Sequence, residues 1–284
     1  MKILFCTDGS NISFNAIKNF SHWIKEGTVD IVCVIDWSFL PDSAAIEDSN
    51  FVMQCTNTAD EILNNAENLL IKHGINTGEK IKLCGTVIDG ILEICDKKDY
   101  DYIVLGSHGK KGIQKWLGSV SQELASAVKI PVYISKLSNE RKNILFAIDN
   151  SEKSKTNVEK VLTTMDLENK NIHLLNVYEM PDFLFLKGNV DSNWMLDIQN
   201  KQEVSSMLLL NDIETLFKDK NFDIAKKTIT QGIPATEILK YATVNDIDLI
   251  VCGNKNYKKI SKFLLGSVSL RVLENTDSDV LIIK

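Results

Sequence analysis

The sequence lacks long apolar runs, and none approaches the roughly 18 to 20 residues that a membrane-spanning helix requires. The chain begins MKILFCTDGS. This start contains one lysine and only a short apolar stretch before an aspartate, which excludes a signal peptide and predicts a first strand instead. We therefore expect a cytoplasmic protein with no membrane partner.

The chain also lacks an excess of positive charge, since its formal net charge is −6 at pH 7. Proteins that bind nucleic acids generally present a basic face, so we expect no nucleic-acid partner. With 44% hydrophobic and 25% charged residues, the composition is that of an ordinary globular protein. A chain of 284 residues is long enough for two domains that each bury a core.

The residues of familiar metal and catalytic sites are sparse. The six cysteines form no CxxC pair and are predicted to be small buried residues in a reducing compartment. The four histidines are scattered without the spacing of metal ligands. No GxSxG, HExxH or GxxxxGK(S/T) motif occurs, and CTDGSNIS does not match the SGGxDS loop of ATP pyrophosphatases. We predict no catalytic residues and no metal ligands, and an enzyme with substantial turnover is the least favoured function.

An internal repeat is the most informative feature that the chain does contain. The segment LGSVS stands at residues 117–121 and again at 265–269. Other segments recur in the same order: KILFCTDGS is matched by NILFAIDNS, VIDWSFLPD by VYEMPD, GTVIDGILEI by GIPATEILKY, and DYIVLGS by DLIVCGN. Matches in a common order indicate a tandem duplication. We predict two domains, residues 1–138 and 141–284, that meet in the polar segment SKLSNERKN.

Within each half, apolar runs typical of strands alternate with helical patterns. The predicted strands of the first half are Lys2–Thr7, Asp30–Ile35, Lys80–Cys84, Asp101–Leu105 and Pro131–Ser135. Helical patterns cover residues 10–26, 58–73, 88–98 and 117–128, whereas residues 37–57 and 179–200 have no clear pattern. Apolar strands separated by helices indicate an α/β fold with a parallel sheet covered on both faces. Each half is therefore predicted to be a doubly wound α/β domain.

In such a sheet, ligands bind beyond the carboxyl ends of the strands. The loop after the fourth strand of the first half reads GSHGKKGIQKWLGSVSQ. Gly106 and Gly109 allow a tight turn, and Gly118 and Ser119 open a helix whose free N–H groups suit a phosphate. The hydroxyl groups of Ser119 and Ser121 can add donors, and three lysines supply positive charge. A glycine pattern also fits a helix start with tight turns and no ligand.

Two residues at the ends of the first and second strands complete a possible nucleoside pocket. Asp8 can accept hydrogen bonds from a ribose hydroxyl or an adenine amine, and Val34 can lie against the base. The alternatives are that Asp8 caps the first helix and that Val34 is a core residue. His108 can reach a phosphate or a ribose, although a lone loop histidine is more often simply solvated, which is the interpretation we favour.

Together these segments resemble the universal stress protein family of the UspA type, once in each half. The resemblance rests on an Asp that ends the first strand, followed by GSHG, LGSVS and IPVYIS. It implies a Rossmann-like five-stranded sheet in the order 3-2-1-4-5. It also implies dimers formed through the fifth strands, so residues 131–135 and 279–283 are expected to pair within the chain, and chains could also pair as homodimers.

ATP-binding members of that family carry Gly, two residues, Gly, nine residues, then Gly with Ser or Thr. The resemblance therefore implies ATP or AMP as the ligand, with or without Mg²⁺. The implied binding residues of the first domain are Thr7, Asp8, Val34, Gly106, His108, Gly109, Gly118, Ser119, Val120 and Ser121. Their counterparts in the second domain are Ile148, Asp149, Val177, Gly253, Asn256, Gly266, Ser267, Val268 and Ser269.

Both halves depart from this motif. Only eight residues separate Gly109 from Gly118, and Asn256 replaces the second glycine of the other half. Asn is the non-glycine residue that best tolerates left-handed backbone, so the change is mild if the glycine serves only its φ angle. If the backbone must approach phosphate closely, the Asn side chain obstructs it. We therefore rank the first domain above the second as a nucleotide site. The alternative is a protein that binds no nucleotide and acts through dimerisation and contacts with partners.

Overall fold

The structure is a computed structural model. It describes residues 1–37, 49–108, 118–136, 142–151, 153–180, 192–254 and 265–284. Within this part of the chain, no helix is both long enough and apolar enough to cross a membrane.

The two halves contain the same elements in the same order. In the first half these are β1 (Lys2–Cys6), α1 (Asn11–Ser21), β2 (Thr28–Ile35), α2 (Ser49–Lys72), β3 (Asn76–Cys84), α3 (Val87–Lys97), β4 (Tyr102–Gly106), α4 (Ser119–Ala127) and β5 (Val132–Ser135). In the second half they are β6 (Asn143–Ile148), α5 (Lys153–Thr164), β7 (Asn171–Tyr178), α6 (Ser192–Lys218), β8 (Ile224–Gln231), α7 (Pro234–Val244), β9 (Leu249–Gly253), α8 (Ser267–Asn275) and β10 (Asp279–Ile283).

All ten of these strands form one sheet, in the order β3-β2-β1-β4-β5-β10-β9-β6-β7-β8. Each half therefore has the predicted order 3-2-1-4-5, with parallel pairing inside the half. The halves meet where β5 pairs antiparallel with β10, Tyr133 lying opposite Leu281. This is the intrachain pairing expected from the sequence, and the predicted α/β, Rossmann-like fold is confirmed.

The central strands are apolar throughout because both of their faces are buried. On β1, Ile3 and Phe5 pack into the cluster that contains the buried residues of α1 and α2. Leu4, between them, packs on the opposite face with the buried residues of α3 and α4. Successive strand side chains point to opposite faces, so helices on both sides require a continuous apolar run.

The sequence predicted β3 to be a short apolar strand, but the edge strand of the structure is longer and more polar. It begins at Asn76 and is largely exposed. Lys80 and Lys82 point towards α2, where they contact Glu67 and Asp60 at 2.6 Å and 2.7 Å. Charged side chains protect an edge strand against pairing with other chains. The helix α2 itself begins at Ser49, inside a segment that shows no clear helical pattern in the sequence.

A buried carboxylate joins the two halves. Asp279 is fully buried, and its Oδ2 accepts a hydrogen bond from the hydroxyl of Tyr133 at 2.5 Å. Its Oδ1 accepts from the Ser135 hydroxyl at 3.1 Å and from the Lys136 N–H at 2.7 Å. The position that matches Asp279 in the first half is Pro131. Proline has no carboxylate, so the first half cannot form the same network, which therefore occurs once in the described chain.

Candidate functional site

A cavity of about 570 Å³ opens at the carboxyl ends of β1, β2 and β4. It is bounded by the first turn of α4 and by the side of α3. Every described residue that the sequence predicted for the first site lines it, namely Thr7, Asp8, Val34, Gly106, His108, Gly118, Ser119, Val120 and Ser121. Gly109 lies outside the described residues. The cavity is of the size usual for small-molecule sites, which is about 300 to 1,000 Å³.

Asp8 does not cap the first helix. The N-cap of α1 is Ser10, whose hydroxyl oxygen accepts from the Ser13 N–H at 3.2 Å. Asp8 Oδ1 accepts from the Ser10 N–H at 3.0 Å, which holds the carboxylate in place on the wall of the cavity. The turn between them uses Gly9 at a φ of +76°, in the left-handed region that favours glycine. The capping interpretation is therefore wrong.

Two hydrogen bonds connect the start of α4 to the end of β4 and the residue that follows it. The Gly118 N–H donates to the Ser107 carbonyl at 2.7 Å, and the Ser121 hydroxyl donates to the Gly106 carbonyl at 2.7 Å. The hydroxyl proton of Ser121 is thus used inside the protein rather than offered to a ligand. Ser119 and Val120 are exposed at the first turn, where an α-helix leaves its first backbone N–H groups without intrahelical acceptors.

Gly106 has a packing role. A Cβ built there would lie 2.9 Å from Ile12 Cγ2 and 3.1 Å from the Ile12 carbonyl carbon, so glycine lets α1 approach the end of β4. At Gly118 a Cβ would lie 3.2 Å from both the Ser107 carbonyl oxygen and His108 Cα. A larger residue at Gly118 would therefore push against the loop that forms the floor of the cavity.

His108 is buried, which corrects its interpretation as a solvated loop residue. It is 5% exposed, and its Nδ1 lies 3.0 Å from the Ser107 hydroxyl. Its Nε2 has no hydrogen-bond partner among the described residues, although the ring lines the cavity. Burial, and then the nearby charge of Lys136, lower the pKa of His108, while Asp8 acts in the opposite direction. A buried polar atom without a partner is costly, and a ligand oxygen could satisfy it.

This burial predicts a pH dependence of stability. The pKa of His108 and that of His173 are both below the ordinary value of 6.5, chiefly because of burial. The unfolded chain therefore binds more protons than the folded one below about pH 6.5. Stability from this source is complete above that pH and decreases as the pH falls towards the folded-state pKa values. Urea denaturation between pH 8 and pH 5 measures it.

The matched variants for this measurement are His108→Gln and His73→Gln. We expect His108→Gln to reduce the loss of unfolding free energy on acidification, because it removes a group that takes up a proton on unfolding. His73 is exposed and follows the end of α2. Equal effects of the two substitutions would show that the buried position of His108 is not the cause.

A second cavity, of about 530 Å³, occupies the corresponding place in the other half. The described residues predicted for the second site all line it, namely Ile148, Asp149, Val177, Gly253, Gly266, Ser267, Val268 and Ser269. Asn256 lies outside the described residues. The Ser269 hydroxyl donates to the Gly253 carbonyl at 2.7 Å, as the Ser121 hydroxyl does to the Gly106 carbonyl in the first half.

The two aspartates differ in their surroundings. Asp149 Oδ1 accepts from the Ser151 N–H at 3.1 Å and from the hydroxyls of Ser151 and Ser154, each at 2.6 Å. In the first half the hydroxyl of Ser13, the counterpart of Ser154, instead lies 2.8 Å from the Thr7 hydroxyl. Asp149 thus accepts hydrogen bonds from two hydroxyl groups at the start of its own helix.

Several lining residues were missed from the sequence. Val87 and Ile91 form an apolar wall in the first cavity, and Ile233 and Ile238 stand near the matching place in the second. They could have been recognised because GTVIDGILEI and GIPATEILKY are aligned and place an apolar helix face beside the site.

Charged residues that the sequence did not predict also line the cavities. One acidic residue follows β2 in the first cavity and one follows β7 in the second, and an arginine lines the second cavity. The acidic residues are Asp36 and Glu179, and the arginine is Arg271.

In the described part of the chain, no three His, Cys, Asp or Glu side chains are grouped as they would be to hold a metal ion. Among these residues the donors that face the first cavity are instead suited to phosphate and ribose. They are the N–H groups at the start of α4, the Ser119 hydroxyl and the ring of His108. The apolar wall lies on one side of the cavity and these donors lie on the other.

Comparison with known proteins agrees with the repeated architecture. A sequence model for the universal stress protein family matches residues 1–136 and again residues 140–284. The universal stress protein Slr1230 of Synechocystis sp. is 21% identical over 308 residues, which cover 98% of this chain and 98% of that protein. The universal stress protein MJ0577 of Methanocaldococcus jannaschii is 27% identical over 154 residues, covering 50% of this chain and 94% of that protein.

Among solved structures, a universal stress protein from Archaeoglobus fulgidus aligns with 100% of this chain and 98% of its own, with a TM-score of 0.73 and 20% identity. At this identity the likeness concerns the fold. It extends over both halves, as does the match to the family model.

Proposed function

Because the chain belongs to the universal stress protein family along both of its halves, we propose that it binds an adenine nucleotide, ATP or AMP, in the first cavity. Such a protein would act in the cytoplasm as a nucleotide-dependent component of a stress response. The free cysteines of the described chain are compatible with that reducing compartment.

One observation carries the proposal: a single cavity brings together a carboxylate, an apolar wall and the start of a helix. In the proposed complex, Val34, Val87 and Ile91 contact the adenine ring, and the Asp8 carboxylate accepts from a ribose hydroxyl. The phosphates lie at the first turn of α4, where backbone N–H groups and the Ser119 hydroxyl donate to them. His108 Nε2 gains its missing partner from the ribose or a phosphate oxygen.

The energies show why the whole cavity is needed. Micromolar affinity corresponds to about 8 kcal/mol. The dipole of a single helix contributes about 0.3–1 kcal/mol. Burial of the base against the apolar wall and the hydrogen bonds to phosphate must therefore provide most of the binding free energy. Mg²⁺, when it accompanies ATP, would be bound mainly by the phosphates.

Calorimetric titration of nucleotide-stripped protein with ATP, with and without Mg²⁺, tests the proposal. We expect a binding site that disappears in Gly118→Val and is kept in Gly266→Val, its counterpart in the other half. AMP and adenosine serve as shorter ligands. Absence of heat and of thermal stabilisation with all three ligands would overturn the proposal. It would favour instead a protein that acts through partner contacts alone.

A further inference from the structure

The helix α6 of the second half exposes several large apolar side chains. Trp194 is 46% exposed, and Val204, Met207 and Leu208 are 58%, 55% and 61% exposed. The buried side of the helix is a different one, where Leu210 packs into the core. Exposed apolar surface that is bordered by polar residues marks a site of interaction when it forms a patch.

The matching helix of the first half, α2, is polar at the same positions. The ion pair between Lys227 of β8 and Glu214 of α6 repeats the one between Lys80 of β3 and Glu67 of α2, which aligns the two helices. In this alignment three apolar residues of α6 correspond to polar residues of α2. They are Val204, Met207 and Leu208, which match Asn57, Asp60 and Glu61 in that order. The fold therefore does not require apolar residues there.

The first part of α6 extends beyond the core of its domain. None of the described residues 193–205 is buried, and the buried side of the helix begins only at Ser206. Ser206 stands two positions from both Val204 and Leu208, and residues two apart lie on opposite sides of a helix. A second chain can therefore approach Val204 and Leu208 without meeting the sheet.

The charged residues on this side form a self-complementary pattern. Trp194, Asp197, Lys201 and Val204 follow one another at the helical spacing of three or four, and we call this stripe the outer face of α6. Its order is apolar, acidic, basic, apolar. In an antiparallel pair of such helices, Trp194 meets Val204 and Asp197 meets Lys201. Each contact then occurs twice, as a two-fold axis requires.

We propose that the outer face of α6 binds the same face of a second copy of the chain, as an antiparallel pair of helices centred near Gln199. The inference does not depend on nucleotide binding. It also concerns a different surface from the β5–β10 pairing, which the chain already forms internally. Because the pair is centred in the part of α6 that has no buried residues, the two cores lie at opposite ends of it.

The charges of α6 favour a second copy over a lipid surface as the occupant. Helices that lie on anionic membranes are rich in Lys and Arg. The helix α6 contains two lysines and four acidic residues. The side chains of Asp197 and Lys201 are 59% and 75% exposed, so both are available to another chain.

The length of the contact sets its strength. The two helices would overlap along residues 192–206, a length of about 22 Å. An interface formed mainly by one short helix from each chain is smaller than that of a permanent dimer. We therefore expect a reversible dimer that forms as the concentration of the protein increases.

Sedimentation velocity of the full chain, from micromolar to submillimolar concentration, tests the proposal. We expect a monomer–dimer equilibrium that shifts towards the dimer as the concentration increases. Val204→Asn should weaken the dimer about 10-fold, because it removes an apolar contact at both ends of the helix pair. The first half carries asparagine at the matching position, Asn57, so this substitution is compatible with the fold.

Charge exchange tests the antiparallel arrangement. Asp197→Lys and Lys201→Asp each turn two attractive contacts into two repulsive ones, so each should weaken the dimer about 10-fold. An equimolar mixture of the two variants places opposite charges together again and should form dimers of unlike chains. Both variants also lose the ion pair of 2.9 Å between Asp197 and Lys201 within the helix. The mixture does not restore that pair, so recovery in the mixture reports contact between chains.

Glu61→Lys is the matched control, because Glu61 is exposed on α2 at the position that corresponds to Leu208. We expect it to leave the equilibrium unchanged. A wild-type chain that stays monomeric at every concentration would overturn the proposal. So would a dimer that Val204→Asn leaves unaltered, since such a dimer would use another surface. Loss of the dimer in both charge variants without recovery in their mixture would overturn the antiparallel pairing.

Discussion

Replacing Asp279 by alanine should lower the free energy of unfolding by about 3 kcal/mol, because it removes the acceptor of three hydrogen bonds at the junction of the halves. The donors are the hydroxyls of Tyr133 and Ser135 and the N–H of Lys136. The two hydroxyl-bearing side chains are fully buried. Alanine cannot replace the lost acceptor, and water reaches the site poorly, so these three hydrogen bonds would be lost, and the Ser135 hydroxyl would keep only the Lys136 carbonyl, at 3.1 Å, as an acceptor.

The charge of Asp279 adds to this effect. Burial lowers the pKa of the Lys136 amine, and the charges of Asp277, Asp279 and Glu274 partly oppose this by raising it. Loss of Asp279 leaves a partly buried ammonium group with less compensation. We therefore expect Asp279→Asn, which keeps an oxygen but not the charge, to be intermediate between the wild type and Asp279→Ala.

Chemical denaturation of the full chain measures these changes, and Asp277→Ala is the matched control. Asp277 is an exposed aspartate two residues earlier on the same segment, so its loss should cost less than about 1 kcal/mol. If Asp279→Ala were no more destabilising than Asp277→Ala, the buried network would not be what holds β5 against β10.

Phe20→Ala is the second substitution for which we expect a large effect, a loss of about 3–5 kcal/mol. Phe20 is fully buried on α1. Its ring centroid lies 5.3 Å from that of Tyr102 and 4.8 Å from that of Tyr133. Truncation would leave a cavity between α1 and the sheet and would also remove the support of Tyr133, which bonds to Asp279.

Phe14→Ala on the same helix is the control for Phe20→Ala. Phe14 is only partly buried, so the same chemical change should create a smaller cavity and cost less. Thermal or urea unfolding of both variants measures the difference. Similar losses at Phe14 and Phe20 would mean that the burial of Phe20 is not what fixes α1 on the sheet. A double variant with Tyr133→Phe would show how strongly Phe20 is coupled to the junction.

The repeat was enough to predict much of the fold and of the candidate site. Apolar strands alternating with helices predicted the parallel sheet, because a strand covered on both faces must be apolar at every position. The places where strands end, at Asp8, Val34 and Gly106, then predicted a shared edge, since parallel strands finish at the same side of a sheet. The aligned segments of the second half predicted its site in the same way.

Local patterns were less informative where the environment sets the role of a residue. His108 stands in a polar loop segment, yet its side chain is buried and only 5% exposed. Ser121 looks like a phosphate donor in the sequence, but its hydroxyl donates its hydrogen bond to the nearby Gly106 carbonyl. The strand β3 is polar because it lies at the end of the order of the ten described strands and is largely exposed, which depends on its position in the sheet.

The duplication, the fold class and the end of each sheet where a ligand would bind follow from repeated segments and from the local alternation of strands and helices. The sequence alone was therefore enough to establish them. Contacts between distant segments had to be seen in three dimensions. The pairing of Asp279 with Tyr133 joins residues from different halves. Arg271 enters the second cavity because α8 presents the face of Ser267 to it. Such contacts depend on how helices and strands pack, which no single segment of the chain encodes.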